Sequence, residues 1–167
     1  MTEFNLNNMV LDDNTVALLP EGSYRFKVLR HEIGQYSGNS DKIPKGTQQI
    51  IVFMEIPYTD DSGHMATTIV KNTLNVYSRA MFALRQFVEC ISLCPESGKT
   101  TFNVDTIDGR TGACELKHRQ GNNGNEYNNI DNCYPPSKAP KRCLNDDVWN
   151  AYQSGMTDVT GSVTAPW

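Results

Sequence analysis

Alternation of apolar and polar side chains predicts a long first strand over residues 22–35. Successive side chains of a β-strand point to opposite faces, so strict alternation is typical of a strand that is buried on one side only. One face here is aromatic and β-branched and the other is basic, as shown by Tyr24, Phe26 and Val28 against Arg25 and Lys27. A basic outer face of this kind suits a polyanionic ligand.

The rest of the pattern predicts two more strands, an amphipathic helix and two last strands. An apolar run over residues 49–57 and an alternating stretch over residues 65–77 predict the second and third strands. From Ser78 onwards, apolar residues recur every three or four positions, which is the spacing of one helix face. Alternation returns over residues 112–120 and 126–134, with an Asn- and Gly-rich turn between them.

Three strands, a helix and two strands is the element order of the oligonucleotide/oligosaccharide-binding (OB) barrel. We therefore predict a mostly β domain over residues 19–136, an OB-like five-stranded antiparallel barrel with its helix between strands 3 and 4. Residues 1–18 form an N-terminal arm in this interpretation, and residues 137–167 form an acidic C-terminal tail or a loosely docked segment. Other antiparallel sheets with one helix have the same element order, so the barrel stays one of several alternatives.

Charge is unevenly distributed along this chain of net charge −4. All 15 Lys and Arg residues and 12 of the 19 acids lie within residues 22–142, so this stretch carries +3 and the flanks are acidic. A mildly basic body between acidic ends is the asymmetry expected of a polyanion site. A balance of +3 over that length is also ordinary, and charge alone does not decide between the two interpretations.

Membrane and secretory signals are not found in the sequence. No apolar run approaches the ~20 residues of a membrane span, and the N-terminus lacks a basic region followed by an apolar run. The five cysteines are an odd number in a chain without an export signal, which indicates reduced thiols. We expect a cytoplasmic protein.

The sequence predicts no enzyme, cofactor or metal site. Residues 97–100, Ser-Gly-Lys-Thr, match the end of a phosphate-binding loop, but Leu93 stands where that motif needs Gly, and a predicted helix precedes it. The three histidines are widely separated, with no recognisable nucleophile beside them. Cys90 and Cys94 lack the paired spacing of a zinc site.

Three stretches of the chain resemble a family of phage and prophage proteins catalogued as a domain of unknown function. They are LPEGSYRFKVLRHEIGQYSGNSDKI, IIVFMEIPYTDDSGHMATTIVKNTL and IDGRTGACELKHRQGNNGNEYNNI. Proteins of this family are similar to phage single-stranded-DNA-binding proteins and are generally encoded beside recombination and replication genes. The resemblance covers about residues 19–136 and implies binding of single-stranded DNA on an OB-like barrel, in the host cell cytoplasm. It implies no particular contact residues.

Candidate contact residues follow from the chemistry of single-stranded DNA, which is bound without sequence preference by a positive groove and by aromatic faces that stack on bases. On the predicted register, the outward cations and aromatics are Lys27, Phe53, Lys71, Tyr77, Lys117, Arg119 and Tyr127. The predicted loops add Tyr36, Lys42, Lys45 and Tyr58. The run around Phe53 is apolar on both faces, so burial of this ring in the core is the alternative.

The acidic end of the chain suggests contacts with proteins. Asp146 and Asp147 precede a terminal Trp167, a loose likeness to the acidic, aromatic-tipped tails with which single-strand binders recruit partners. These three residues are the candidate partner-binding residues, and recombination or replication proteins are the expected partners. Self-association of the chain stays open.

A second function is compatible with the sequence: a protein-interaction module that binds a recombinase or host factor and touches no nucleic acid. The distribution of four cations distinguishes this function from single-stranded-DNA binding. Clustering of Lys27, Lys71, Lys117 and Arg119 on one face would favour nucleic acid, because a groove needs converging charges. Dispersed cations would favour the interaction module.

Overall fold

The computed structural model describes residues 17–39, 41–93, 103–121 and 124–154. The strands are β1 (Gly22–Gln35), β2 (Gln48–Thr59), β3 (Met65–Asn75), β4 (Thr111–Gln120) and β5 (Glu126–Tyr134). The α-helices are α1 (Met81–Cys90), between β3 and β4, and α2 (Asp146–Gln153), after β5. The mostly β class and the helix between the third and fourth strands are confirmed. In the described residues, neither helix has the length and apolar character that a membrane span requires.

The five strands form one antiparallel sheet in the order β3-β2-β1-β4-β5. The central strand, β1, pairs with different neighbours along its length. Residues 22–27 pair with β4, and residues 27–35 pair with β2. The two halves of the sheet are therefore staggered along β1 and overlap only at Lys27, which pairs with both neighbours.

The hydrophobic core lies on the inner face of the sheet, beneath α1. Alternate residues of β1 and β2 are buried there, namely Tyr24, Phe26, Val28, Ile50, Val52, Met54 and Ile56. Helix α1 buries Leu84, Phe87 and Val88, and the rings of Phe26 and Phe87 stack with centroids 6.4 Å apart. Burial of each large apolar side chain contributes about 1.5–3 kcal/mol, so these two periodic patterns stabilise the fold.

Strand pairing does not close the sheet into a barrel within the described residues. The edge strands β3 and β5 contact one another but form no ladder. Residues 17–19 lie between them instead: the Ala17 N–H donates to Thr68 Oγ1 on β3 at 3.1 Å. On β5, the Asn128 amide donates to Ala17 O at 2.7 Å and accepts from Leu19 N–H at 3.0 Å. The predicted barrel is therefore an open sheet, whose edges are linked by side chains and by α1, which packs against both edge strands.

A second helix, α2, lies in the stretch that the sequence assigned to the tail. It packs on β1 and β2 and buries Trp149 and Tyr152. Just before it, the amide of Asn145 donates to the carbonyls of Arg25 and Pro57 and accepts from the Arg25 N–H, at 2.8–2.9 Å. The expectation of a single helix is wrong because these contacts with the sheet order residues 146–153.

Candidate nucleic-acid interface

The outer face of β1, β2 and β3 carries a mixed aromatic and basic surface. Antiparallel pairing aligns its side chains in rows that run across the three strands. In one row, Arg30 lies opposite Phe53, and Phe53 lies opposite Lys71. Directly opposite side chains are about 5 Å apart, so the aromatic side chain lies between two cationic ones. Arg30, Phe53 and Lys71 are termed the central row.

Phe53 lies outside the core. It is half-buried, whereas Val52 and Met54 on the inner face are fully buried. The guanidinium carbon of Arg30 lies 3.8 Å from the ring centroid of Phe53, which is cation–π geometry. The prediction that Phe53 points outward is therefore confirmed. The alternative, in which this ring is buried in the core, is wrong.

Arg30 owes its outward direction to a β-bulge. Strict alternation would direct residue 30 to the inner face together with Val28. The pairing shifts by one between Val28 and Arg30, so Leu29 is an extra residue in β1. A bulge reverses the alternation beyond it, which moves Arg30 to the outer face. Arg30 is not among the contact residues predicted from the sequence, although a charged residue at a core position is itself a signal of a bulge, since burying an unpaired charge is costly.

Two further rows flank the central row. They are Lys27–Glu55–Ile69 and Glu32–Ile51–Thr73. Both carboxylates have partners: Glu32 accepts from Arg30, and Glu55 accepts from the hydroxyl of Tyr152 at 2.6 Å. Burial and the Glu55 contact raise the pKa of Tyr152, so the phenol keeps the proton that it donates. Ile69, 42% exposed, adds apolar surface beside these groups.

A second basic cluster lies on the β4–β5 hairpin. Lys117 and Arg119 are exposed there, and Arg119 lies opposite Tyr127 and 3.7 Å from Asp131. Tyr127 is 47% exposed, so its ring is accessible. Lys117, Arg119 and Tyr127 are termed the hairpin cluster.

The hairpin cluster is separate from the central row. Gly22, the first residue of β1, pairs with Leu116, so Lys117 lies beyond the start of β1. Lys27 pairs with Thr111 instead, and the six residues from there to Lys117 span about 20 Å of strand. The four cations whose clustering would favour nucleic acid therefore form two separate outward groups. Lys27 and Lys71 lie on the face of β1, β2 and β3, whereas Lys117 and Arg119 lie on the β4–β5 hairpin.

Two aromatic residues do not lie where the sequence analysis placed them. Tyr58 belongs to β2 rather than to a loop, and its side chain packs against the core. Strand β3 ends at Asn75, so Tyr77 follows the strand, and its carbonyl accepts from the Ala80 N–H in a short 3-10 turn. Tyr58 thus faces away from the central row, and Tyr77 does not extend it.

The loop between β1 and β2 holds the remaining candidates. The backbone of Tyr36 bonds to Thr47 at 2.8 Å and to Gly46 at 2.9 Å, which closes the base of the loop. The Tyr36 ring lies so close to Gly38 that a Cβ at residue 38 would collide with it. Lys42 and Lys45 are exposed in the same loop and place two cations beyond the end of the β1–β2 hairpin.

The acidic residues proposed for partner binding contact the protein itself. Asp146 accepts from Arg25 Nε at 2.6 Å and from the Cys143 N–H at 2.9 Å, and Asp147 accepts from Thr59 Oγ1 at 2.8 Å. Burial disfavours the charged Asp146 carboxylate, but its hydrogen bonds outweigh that cost and hold its pKa below the ordinary value. Both carboxylates therefore hold α2 on the sheet, and Trp167 lies outside the described residues.

The thiols of the described residues are buried, and these residues contain no cluster of metal ligands. In the described parts of the chain, no three His, Cys, Asp or Glu side chains are placed to hold a metal ion. Cys90, Cys114, Cys133 and Cys143 are buried free thiols, and Cys94 lies outside the described residues. Burial raises the pKa of Cys114 well above its ordinary value, which keeps this thiol protonated and unreactive.

Comparison of the chain with models of known families and with curated protein sequences gave no match. The resemblance to phage proteins therefore stays a prediction, and the function has to be argued from the outer face of the sheet.

Proposed function

We propose that the protein binds single-stranded DNA through the outer face of β1, β2 and β3, as a phage-type protein of replication or recombination. The observation that carries this proposal is the central row, in which an aromatic side chain lies between two cations on adjacent strands. Non-specific single-strand binders combine these two features, a basic groove that follows the phosphates and rings that stack on bases.

The fold supports the same surface. OB folds bind oligonucleotides on the face of their second and third strands, next to the loops that join strands 1 and 2 and strands 4 and 5. Here Phe53 and Lys71 lie on β2 and β3, and Lys42 and Lys45 lie in the first of those loops. We propose that the sheet is an OB-like barrel whose last seam, between β3 and β5, is bridged by residues 17–19.

In this mechanism, stacking and charge act together. A base stacks on the Arg30 guanidinium or takes its place on the Phe53 ring, because both surfaces are planar and polarisable. Lys71 and Lys27 neutralise phosphates on either side. Binding is expected to be independent of sequence, since stacking and phosphate contacts do not read base edges.

The test is the anisotropy of a labelled oligothymidine titrated with the protein across a salt series, with duplex DNA as a comparison. We expect the logarithm of the affinity to fall linearly with the logarithm of salt, with a slope of about −0.7 for each phosphate neutralised. Phe53→Ala should weaken binding by about 5- to 150-fold, the range for loss of one stacked base. Leu144→Ala is the control and should change affinity little, because Leu144 is also exposed but lies beside the start of β1, where its N–H donates to Ser23 O.

One observation favours the alternative function. The separation of Lys117 and Arg119 from Lys27 is the dispersal of cations that we associated with a protein-interaction module. Absence of oligothymidine binding at low salt, where phosphate contacts are strongest, would reject the nucleic-acid proposal in favour of that module.

A further inference from the structure

A groove of about 400 Å³ lies between α1 and the end of β5. Its lining combines aromatic, amide and cationic side chains, which are Phe82, Arg85, Gln86, Asn132, Tyr134 and Lys138. The volume is within the range of small-ligand sites, about 300–1,000 Å³. None of these residues belongs to the central row or to the hairpin cluster.

Phe82 is the most unusual member of the lining. Its side chain is 78% exposed, the largest value among the exposed large hydrophobic residues of the described chain. The buried face of α1 is formed by Leu84, Phe87 and Val88, so the packing of the helix on the core does not need Phe82. When a planar ligand covers an exposed aromatic ring, apolar surface is removed from water and the free energy of the complex is lowered.

The polar groups around Phe82 suit a nucleotide. The amides of Gln86 and Asn132 each present donors and an acceptor, which can pair with the edge of any base. Lys138, at the end of the 3-10 turn Pro136–Lys138, is exposed and offers a charge to a phosphate. Arg85 forms an ion pair with Glu89 at 2.7 Å, which offsets the charge of this carboxylate in the lining of the groove.

The groove also lies beyond the edge of the sheet at which the central row ends. Lys71 lies on β3, which is an edge strand of the sheet, and α1 packs against β3 and against β5. A single strand that crosses from Arg30 past Phe53 to Lys71 therefore leaves the sheet at the edge beside α1. Beyond that edge lie residues 17–19 and then β5, whose last residues form one wall of the groove.

We infer that this groove holds a further nucleotide of the same single strand, with its base stacked on Phe82 and its phosphate beside Lys138. The inference rests on the proposed function and extends it, because it adds a second stacking position beyond the sheet. A strand that occupies both positions must be longer than one that occupies the central row alone.

Oligothymidines of two lengths test the inference, one of about four nucleotides, the lower limit of the site size of one OB fold, and one of about twenty, above its upper limit of about 16. Phe82→Ala should weaken binding of the long strand by about tenfold and leave the short strand unchanged. Phe53→Ala should weaken both. Met81→Ala is the matched control, since Met81 is also exposed but does not line the groove.

A second variant provides an independent measurement. Lys138→Gln should make the salt slope of the long strand shallower by about 0.7 and leave that of the short strand unchanged. If Phe82→Ala and Lys138→Gln leave long-strand binding unaltered while Phe53→Ala weakens it, the groove is not part of the path, and the proposed function stands. If neither strand binds the unmodified protein, the proposed function fails and the inference fails with it.

Discussion

At Arg30, one extra residue in β1 decides whether a positive charge points to the core or to solvent. Leu29 occupies the bulge, and the guanidinium beyond it covers the Phe53 ring. The directions of Phe53 and Lys71 could be predicted from alternation, because no irregularity interrupts the pairing of β2 with β3. The direction of Arg30 has only an indirect signal, a charge at a position that alternation assigns to the core, because the place of a bulge depends on the partner strand as well as on the local sequence.

Arg30→Gln tests the role of this charge in binding. The substitution keeps a polar side chain and removes one cation, so we expect weaker binding of oligothymidine and a salt slope shallower by about 0.7. Arg79→Gln is the control, because Arg79 is an exposed cation on the 3-10 turn Ser78–Ala80, away from the central row. An equal change in both variants would show that only the overall charge of the protein matters.

Among the elements, α2 is the one that depends most on its surroundings. Isolated helices shorter than about 12 residues are marginal in water, and α2 has 8 residues. Asp146 and Asp147 in its first turn favour the helix through the macrodipole, while Trp149 and Tyr152 bury its inner side. Its stability therefore comes chiefly from docking on β1 and β2.

Docking of α2 should weaken in acid. The pKa of Asp146 is lower in the folded protein than its ordinary value, so its carboxylate stabilises the docked helix fully above the ordinary value of about 3.9. That contribution is lost as the pH falls through the lowered pKa. In a Trp167→Phe background, where Trp149 is the remaining tryptophan, its fluorescence should report this transition.

Asp146→Asn should remove most of the acid transition, because Asn does not titrate. Asp61→Asn is the matched control, since Asp61 is exposed in the turn between β2 and β3. An acid transition of the same size in all three proteins would show that other carboxyl groups govern the docking of α2.

The sequence predicts elements well where their pattern is local. β1 and β5 begin and end at the predicted residues, because Gly-, Asn- and Pro-rich turn sequences flank both strands. Helix α2 could not be predicted, since its short, polar sequence is ordered by contacts with the sheet and by the Asn145 amide. The two misplaced tyrosines have a similar cause: the ends of β2 and β3 depend on their pairing with each other.

For the molecule as a whole, the contact between the edge strands β3 and β5 determines whether the sheet closes into a barrel. The buried side chains of Thr68 and Asn128 bind the backbone of residues 17–19 from the two sides. His118 on β4 adds a contact of 2.6 Å to the Leu19 carbonyl. This seam could not be predicted, because neither edge strand carries a sequence signal for a third segment between them.

Asn128→Ala should destabilise the protein by about 3 kcal/mol, since two hydrogen bonds are lost and buried backbone groups are left unpaired. The shift in the urea unfolding midpoint measures this loss. The neighbouring Asn129→Ala is the control, because within the described residues the hydrogen bond of the Asn129 amide is local, to Ile130 O at 3.2 Å. Equal midpoints for the two variants would contradict a structural role for the seam.

The seam also sets the order in which the protein can form during synthesis. Residues 17–19 leave the ribosome before all five strands, yet their partner on β5, Asn128, emerges more than a hundred residues later. Until then, β1, β2 and β3 can pair, but the outer edge of β3 has no cover and offers its backbone to other nascent chains. Contacts so distant in sequence slow folding. A ribosome that stalls before β5 would therefore release a chain prone to aggregation, whereas one that stalls after β5 would release a chain that can already close the seam.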